Sequence, residues 1–285
     1  MIHVENLEFT YPGNSEKTIK NISFAIEKGE IFGFLGPSGA GKSTTQKILI
    51  GILKKYSGKV SVNGSEISEV TGNFYNNIGV SFEFPNLYSK LTGRENLDFF
   101  TSLYNTTKNR SSDLLAMVDL SDAADKRVSD YSKGMKMRLN FCRSLVHDPE
   151  IIFFDEPTSG LDPLNGKRIK DIIRGLKEQG KTIFLTTHNM NVAEELCDRV
   201  AFIVDGKLNL IDSPRRLKID KGENSVRLEY QENGKTVYKD FNLEKIGTDS
   251  EFINLIQKEK IETIHTKEAT LEDIFIRVTG RKLDD

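Results

Sequence analysis

Gly36-Pro37-Ser38-Gly39-Ala40-Gly41-Lys42-Ser43 has the spacing of a phosphate-binding loop, G-x-x-x-x-G-K-[ST]. Three glycines let the backbone bend tightly around an anion and present successive N–H groups with no Cβ in the way. A helix beginning near Lys42 adds the positive end of its dipole to the same place. Lys42 is then expected to reach the β- and γ-phosphates as a point charge, and the Ser43 hydroxyl to ligate Mg²⁺. Upstream, Glu30 to Leu35 reads as a short buried strand, the context that the motif requires. A chance match in a polar loop would lack that strand and helix. The loop alone predicts a bound nucleoside triphosphate and leaves open what its energy drives.

With 285 residues, the chain has room for one large α/β domain plus a small appendage. Its 40 Lys and Arg nearly balance 42 Asp and Glu, so there is neither a nucleic-acid footprint nor a polybasic membrane anchor. Met1-Ile2-His3-Val4-Glu5 lacks the charged-then-apolar layout of a signal peptide. No apolar run approaches the ~20 residues needed to cross a bilayer. Cys142 and Cys197 sit inside helical patterns with no His or Cys cluster beside them, which predicts buried free thiols in a reducing compartment. The expectation is a soluble cytoplasmic protein.

Around the loop, alternation marks the opening as a small sheet. Leu7, Phe9 and Tyr11 face one way, Glu8 and Thr10 the other, and Ile22, Phe24 and Ile26 repeat the pattern. A further β stretch around Lys59–Asn63 closes on Asn63-Gly64. From Thr92 to about Val128 the pattern turns helical and polar. Buried strands follow at Ile151–Phe154 and Thr182–Thr187, separated by a helix around Lys167–Glu178. Ala201–Val204, Asp205-Gly206 and Lys207–Ile211 read as a hairpin that ends the domain. After Pro214 the character shifts. Val226, Leu228 and Tyr230 alternate, Asn233-Gly234 reads as a turn, and Val237 to Phe241 returns as a strand. Glu251–Gln257 reads as a helix and Ile261–His265 as a strand. Thr270-x-x-Asp273 is a capping box ahead of the stripe Leu271, Ile274, Phe275 and Val278, with Gly280 placed to stop the helix. The expected division is a main domain over 1–215 and a small α/β appendage over 220–285.

Ile151-Ile152-Phe153-Phe154-Asp155-Glu156 is an apolar strand ending in two carboxylates. In an enzyme with such a phosphate loop, an Asp at a strand end holds Mg²⁺ and the adjacent Glu orients or deprotonates the attacking water. The blander reading, an N-cap pair ahead of Pro157, is weakened by the presence of the loop in the same chain. Tyr131-Ser132-Lys133-Gly134-Met135-Lys136 opens a helix with Met135, Leu139, Cys142 and Val146 on one face. Ser132 reads as its N-cap, which leaves the first N–H groups pointing outward. By itself that is a capped helix; ahead of the Asp155-Glu156 strand it is more specific.

In this order of motifs the chain resembles the ATP-binding cassette (ABC) family, the nucleotide-binding subunits of transporters, over roughly residues 1–215. Gly36–Ser43 matches the Walker A motif, with Thr44 following it, and Ile151–Glu156 matches Walker B. Tyr131–Met135 matches the signature, Ser159-Gly160-Leu161-Asp162 the D-loop, and Thr187-His188 the switch histidine. Tyr11 sits where the family stacks an aromatic ring on adenine, although an ordinary strand aromatic is the competing reading. The resemblance implies a P-loop NTPase of ABC type with a mixed α/β core sheet, an antiparallel β subdomain and a helical subdomain at about 86–148. It implies ATP and Mg²⁺ as ligands, Glu156 and His188 as catalytic groups, and Ser43, Glu83 and Asp155 around the metal. Gly36, Pro37, Ser38, Gly39, Ala40, Gly41, Lys42, Ser43 and Thr44 would hold the phosphates. Ser132 and Gly134 would meet the nucleotide of a second cassette, most simply in a homodimer, and Asp162 of the D-loop would also take part in nucleotide binding.

Three positions depart from the family pattern. Glu83 stands where Gln is usual, and the signature carries Lys133 for its first glycine and Met135 for Gln. Phe82-Glu83-Phe84-Pro85-Asn86-Leu87-Tyr88 and the Tyr131–Lys136 stretch are similar to a bacterial exporter branch that includes bacitracin-resistance ATPases. The expected function is therefore an ATP-hydrolysing subunit, peripheral on the inner face of the cell membrane, that powers a separate permease, with export favoured. Phe84, Leu87, Tyr88, Phe99 and Phe100 suit a groove for a permease helix, and core packing explains several of them equally well. His3, His147 and His265 lack partners in the sequence pattern and read as surface or packing residues. The competing class is a soluble ABC ATPase acting on nucleic acid, ribosomes or a cofactor-assembly scaffold; the usual tandem cassettes, coiled coils and zinc modules of that class are not seen. The appendage is expected to aid dimerisation.

Overall fold

The computed structural model describes residues 1–106, 109–221, 225–232, 234–267 and 269–281. Two compact units are present, Met1–Asp212 and Ser213–Arg281. In the first, β1 (Ile2–Phe9) and β2 (Ile19–Ile26) lead into β3 (Ile31–Leu35) and α1 (Lys42–Leu49). The strands β4 (Ser57–Val62), β5 (Ser65–Glu66) and β6 (Ile78–Ser81) follow. Next come α2 (Gly93–Thr101), α3 (Ser111–Met117) and α4 (Lys133–Arg143). The unit closes with β7 (Ile151–Asp155), α5 (Pro163–Glu178), β8 (Thr182–Thr187), α6 (Met190–Leu196), β9 (Arg199–Val204) and β10 (Lys207–Asp212).

The central sheet runs β10-β9-β3-β8-β7-β6, parallel except for β10 at its edge. Its middle strands, IFGFL, IIFFD and TIFLTT, are buried at every position. Strands covered on both faces need continuous apolar runs rather than alternation. Phe34 and Phe153 pack on Phe184 with ring centroids 5.5 and 5.8 Å away, and Phe24 of the neighbouring sheet sits 5.5 Å from Phe34. That second sheet, β2-β1-β4-β5, is antiparallel with alternating burial. Asn63 and Gly64, both at positive φ, make the β4–β5 turn. The mixed sheet, the antiparallel subdomain and the helices at α2–α4 are the architecture expected from the sequence.

Local rules account for the helix starts. Thr92 and Glu95 form a reciprocal capping box on α2, and the Ser132 hydroxyl accepts the Met135 N–H at the start of α4. Asp162 caps α5 through Asn165 N–H, with Pro163 at the first helical position.

Several details differ from the sequence reading. β1 ends at Phe9, so Tyr11 lies outside the strand. Tyr11-Pro12-Gly13-Asn14 closes a turn through Asn14 N–H to Tyr11 O, with Gly13 at φ 88°. The short helix α6 is an additional element, and Cys197 follows it rather than lying inside it; Cys142 and Cys197 are both buried free thiols. Val146 lies beyond the end of α4. His147 is not partnerless: its Nε2 donates to Ile78 O at 2.9 Å and its ring stacks on Tyr104 at 3.7 Å.

The second unit begins with α7 (Pro214–Lys221), before the visible alternation of Val226, Leu228 and Tyr230. β11 (Ser225–Glu232) lies between β12 (Lys235–Asn242) and β13 (Lys260–Lys267), all antiparallel. α8 (Ser250–Lys258) supplies Phe252 to a core of Val226, Leu228, Tyr230 and Phe241. Asn233, half of the expected turn, lies outside the described residues. α9 (Leu271–Thr279) has the Thr270/Asp273 capping box and a left-handed Gly280 at its end. Among the described residues no helix is long and apolar enough to cross a membrane.

Candidate active site

The carboxyl ends of β3, β7 and β8 meet because Leu35 pairs with Thr187 and Asp155 with Thr186. Clefts in open α/β sheets form at such strand ends. Here a cleft of about 450 Å³ is lined by Ser38, Gly39, Gly41, Lys42, Ser43, Thr44, Glu83, Asp155, Glu156 and His188.

The loop between β3 and α1 is held tightly against its surroundings. A Cβ on Gly36 would stand 2.1 Å from Ile203 O of β9, so only glycine lets the chain leave β3 there. The Ala40 carbonyl accepts the Gly206 N–H at 3.0 Å, tying the loop to the β9–β10 turn. Lys42 folds back over the loop, its Nζ donating to Gly36 O at 2.6 Å and to Pro37 O at 2.9 Å. Burial lowers the Lys42 pKa from its ordinary value, and the charges of Glu156, Asp155 and Glu83 act against that shift. An ammonium held by two neutral carbonyls can swing to a phosphate oxygen, a better partner for a charge.

Asp155 and Glu156 are both 7 % exposed. Asp155 Oδ1 accepts a hydrogen bond from Thr186 Oγ1 and lies 3.5 Å from Ser43 Oγ, the long limit of a hydrogen bond. Glu156 stands at φ 49°, a left-handed conformation that costs a non-glycine residue about 1–3 kcal/mol. It turns the carboxylate back toward the end of β8. There it accepts from His188 N–H at 2.9 Å, His188 Nδ1 at 2.7 Å and Thr187 Oγ1 at 3.0 Å.

The oxygen donors Ser43, Asp155 and Glu83 on one cleft suit a hard cation. Among the described residues no three His, Cys, Asp or Glu side chains form a ready-made metal cage. A Mg²⁺ ion here would therefore take several ligands from phosphate and water, as that ion ordinarily does.

Not every expected residue comes to this cleft. Tyr11 lies beside it, its hydroxyl 3.2 Å from Thr44 Oγ1 and its ring edge-on to Phe9. Ser132, Gly134 and Asp162 are not among its lining residues, although a Cβ on Gly134 would lie 3.7 Å from Leu161 Cδ2, so the start of α4 and the turn before α5 adjoin. Two partners escaped the sequence reading, Thr186 to Asp155 and the Thr187 hydroxyl to Glu156. Their signal was present as two hydroxyls ending the otherwise apolar run Ile183-Phe184-Leu185.

The ABC transporter family model matches residues 19–159, and a model for the C-terminal domain of fluoroquinolone efflux ABC transporters matches residues 224–268. A fluoroquinolones export ATP-binding protein of Mycobacterium tuberculosis is 51 % identical over 284 residues, covering 99 % of this chain and 94 % of that one. A linearmycin resistance ATP-binding protein of Bacillus subtilis is 39 % identical over 213 residues, covering 73 % of this chain and 68 % of the relative. Among solved structures, an ATP-binding cassette in a dimeric post-hydrolysis state with ADP and Pi superposes with TM-score 0.70 at 28 % identity, covering 75 % of this chain and 98 % of that one. A glycine loop with phosphate-binding spacing, an acidic strand end that faces it, and near-full-length likeness to named ATP-binding proteins agree: the chain belongs to the ABC transporter family, as an ATP-hydrolysing subunit.

Proposed function

We propose that this ATPase powers export through a separate membrane permease, working as one of two cassettes that close on ATP. The observation that carries export is the 51 % identity to the fluoroquinolones export protein, which extends through both units of the chain. Other relatives are named for linearmycin resistance and for Nod factor export. Export is common to the fluoroquinolone and Nod factor names while the cargo differs, so cargo choice is assigned to the permease. The chain itself is placed at the cytoplasmic face of the membrane through that partner. Exposed Phe84, Tyr88 and Phe99, with Tyr88 and Phe99 edge-on at 4.9 Å, offer the permease an aromatic surface.

Within the cleft, Ser38, Gly39, Gly41, Lys42, Ser43 and Thr44 bind the phosphates, Gly36, Pro37 and Ala40 shape the loop behind them, and Lys42 transfers from its loop carbonyls to the terminal phosphates. Ser43, Asp155 and Glu83 would hold Mg²⁺, which would neutralise charge on the transferred phosphoryl group. Glu156 accepts a proton from the attacking water, and His188 orients its carboxylate and reaches toward the γ-phosphate. Tyr11 borders the base. Ser132 and Gly134, with Asp162 nearby, close the cleft of the opposite cassette, and the unit from Ser213 onward strengthens that association. Hydrolysis then loosens the pair and supplies the stroke.

Affinity purification of the chain from its own membranes tests this reading. A co-purifying multispanning protein, and loss of vesicle efflux when Glu156 is replaced by Gln, are the expected results. Recovery with ribosomes or nucleic acid and no membrane protein would support the soluble class instead.

A further inference from the structure

The two faces that this reading brings together are oppositely charged in a way neither resolves alone. The cleft sets one lysine, Lys42, against three carboxylates, Asp155, Glu156 and Glu83. A nucleoside triphosphate adds more negative charge than one divalent cation offsets. The first turn of α4 is the reverse. It carries Lys133 and Lys136 and no acidic residue, although the positive end of a helix dipole favours acids there. Among the described residues neither lysine has a salt-bridge partner. Sequences that break a local rule without a local gain tend to do so for function.

The Lys133 side chain is also steered. Gly160 stands at φ 70°, and a Cβ there would lie 3.2 Å from Lys133 Cε and 3.4 Å from its Nζ. The stem of Lys133 thus runs over a turn that has no side chain to obstruct it, next to exposed Ser132.

We propose that Lys133 of one copy is the counter-charge for Glu83 in the nucleotide cleft of a second copy. The inference rests on the two-cassette reading and commits to a second copy of this chain as the occupant of the Lys133 face. Charge complementarity across an interface fixes register and disfavours wrong pairings, and close pairs couple measurably. With one divalent ion shared among Asp155, Glu83 and the phosphates, Glu83 without Lys133 would leave excess negative charge facing the nucleotide that joins the two copies; Lys133 without Glu83 would have less to balance.

The test is a double-mutant cycle on the full chain carrying Glu156→Gln to block turnover. Lys133→Met keeps the stem and removes the charge; Glu83→Gln keeps the shape and an oxygen for the metal ion, and removes only the opposing charge. ATP-driven dimerisation is measured by sedimentation. Lys133→Met should weaken the dimer about tenfold, Glu83→Gln in that background should restore most of the loss, and Lys133→Arg should behave as the parent. Raising the salt should shrink the Lys133→Met effect. Equal losses from Lys133→Met with and without Glu83→Gln, or no loss at all, would overturn the pairing while leaving the dimer intact. A parent that stays monomeric in ATP would overturn the two-cassette reading and this inference with it.

Discussion

His188 Nδ1 lies 2.7 Å from Glu156 Oε1, and the same oxygen accepts the His188 backbone N–H at 2.9 Å. The carboxylate is thereby held by the end of the neighbouring strand, while the His188 side chain remains 57 % exposed to the cleft. A buried carboxylate at a left-handed backbone position, gripped by the residue that follows β8, is coupled to whatever the imidazole touches.

Glu156→Gln should keep ATP binding, because Lys42 and the loop are untouched, and reduce turnover by about 10²–10⁴-fold, the usual worth of a positioned base. Steady-state ATPase and nucleotide-binding titrations on one preparation check this. Turnover at the parent rate would remove Glu156 from the chemistry.

Ser132→Arg should leave single-copy ATP binding unchanged, since Ser132 does not line the cleft of its own chain. Losing the α4 N-cap costs about 1 kcal/mol of stability. An arginine at the proposed contact should abolish ATP-driven dimers in sedimentation. An intact dimer would disprove that contact.

Gly36→Ala and Gly166→Ala should move stability in opposite directions. The first drives a Cβ to 2.1 Å from Ile203 O, a backbone atom that cannot turn aside, and should give little folded protein. The second adds a methyl inside α5 with nothing within 4 Å, and should stabilise by about 0.5–1 kcal/mol. Urea denaturation measures both.

His147 gives a pH dependence of known sign. Burial lowers its pKa below the ordinary 6.5, opposed in lesser degree by the hydrogen bond to Ile78 and the charge of Asp148, while Lys181 adds slightly to the lowering. Below that ordinary value the unfolded chain takes up a proton that the folded one excludes. Its contribution is therefore complete above about pH 6.5 and declines as pH falls toward the lowered folded value. His147→Phe retains a ring against Tyr104, should cost about 1 kcal/mol at pH 7.5 through the lost bond to Ile78 O, and should flatten the decline that sets in below about pH 6.5. An unchanged slope in urea melts would exclude His147 as its source.

Much of this was written in the chain. The loop from Gly36 to Ser43 needs no distant partner to be read, because glycine spacing and a following helix are local properties. The buried runs Ile151–Asp155 and Thr182–Thr187 were visible for the same reason: a strand covered on both faces must be apolar throughout. The caps at Ser132 and Thr270 likewise depend on residues three positions apart. Periodicity failed where a turn overrode it, as at Tyr11, where Pro12-Gly13 ends the strand.

What tertiary structure alone decided are the relations between strands. Register puts Thr186 beside Asp155 and Thr187 and His188 around Glu156, all about thirty residues away, and no spacing rule fixes a register across such a gap. Gly36 is the clearest case of both. Its place in the motif could be read from its neighbours, but the carbonyl of Ile203 that makes glycine obligatory there comes from the far end of the domain.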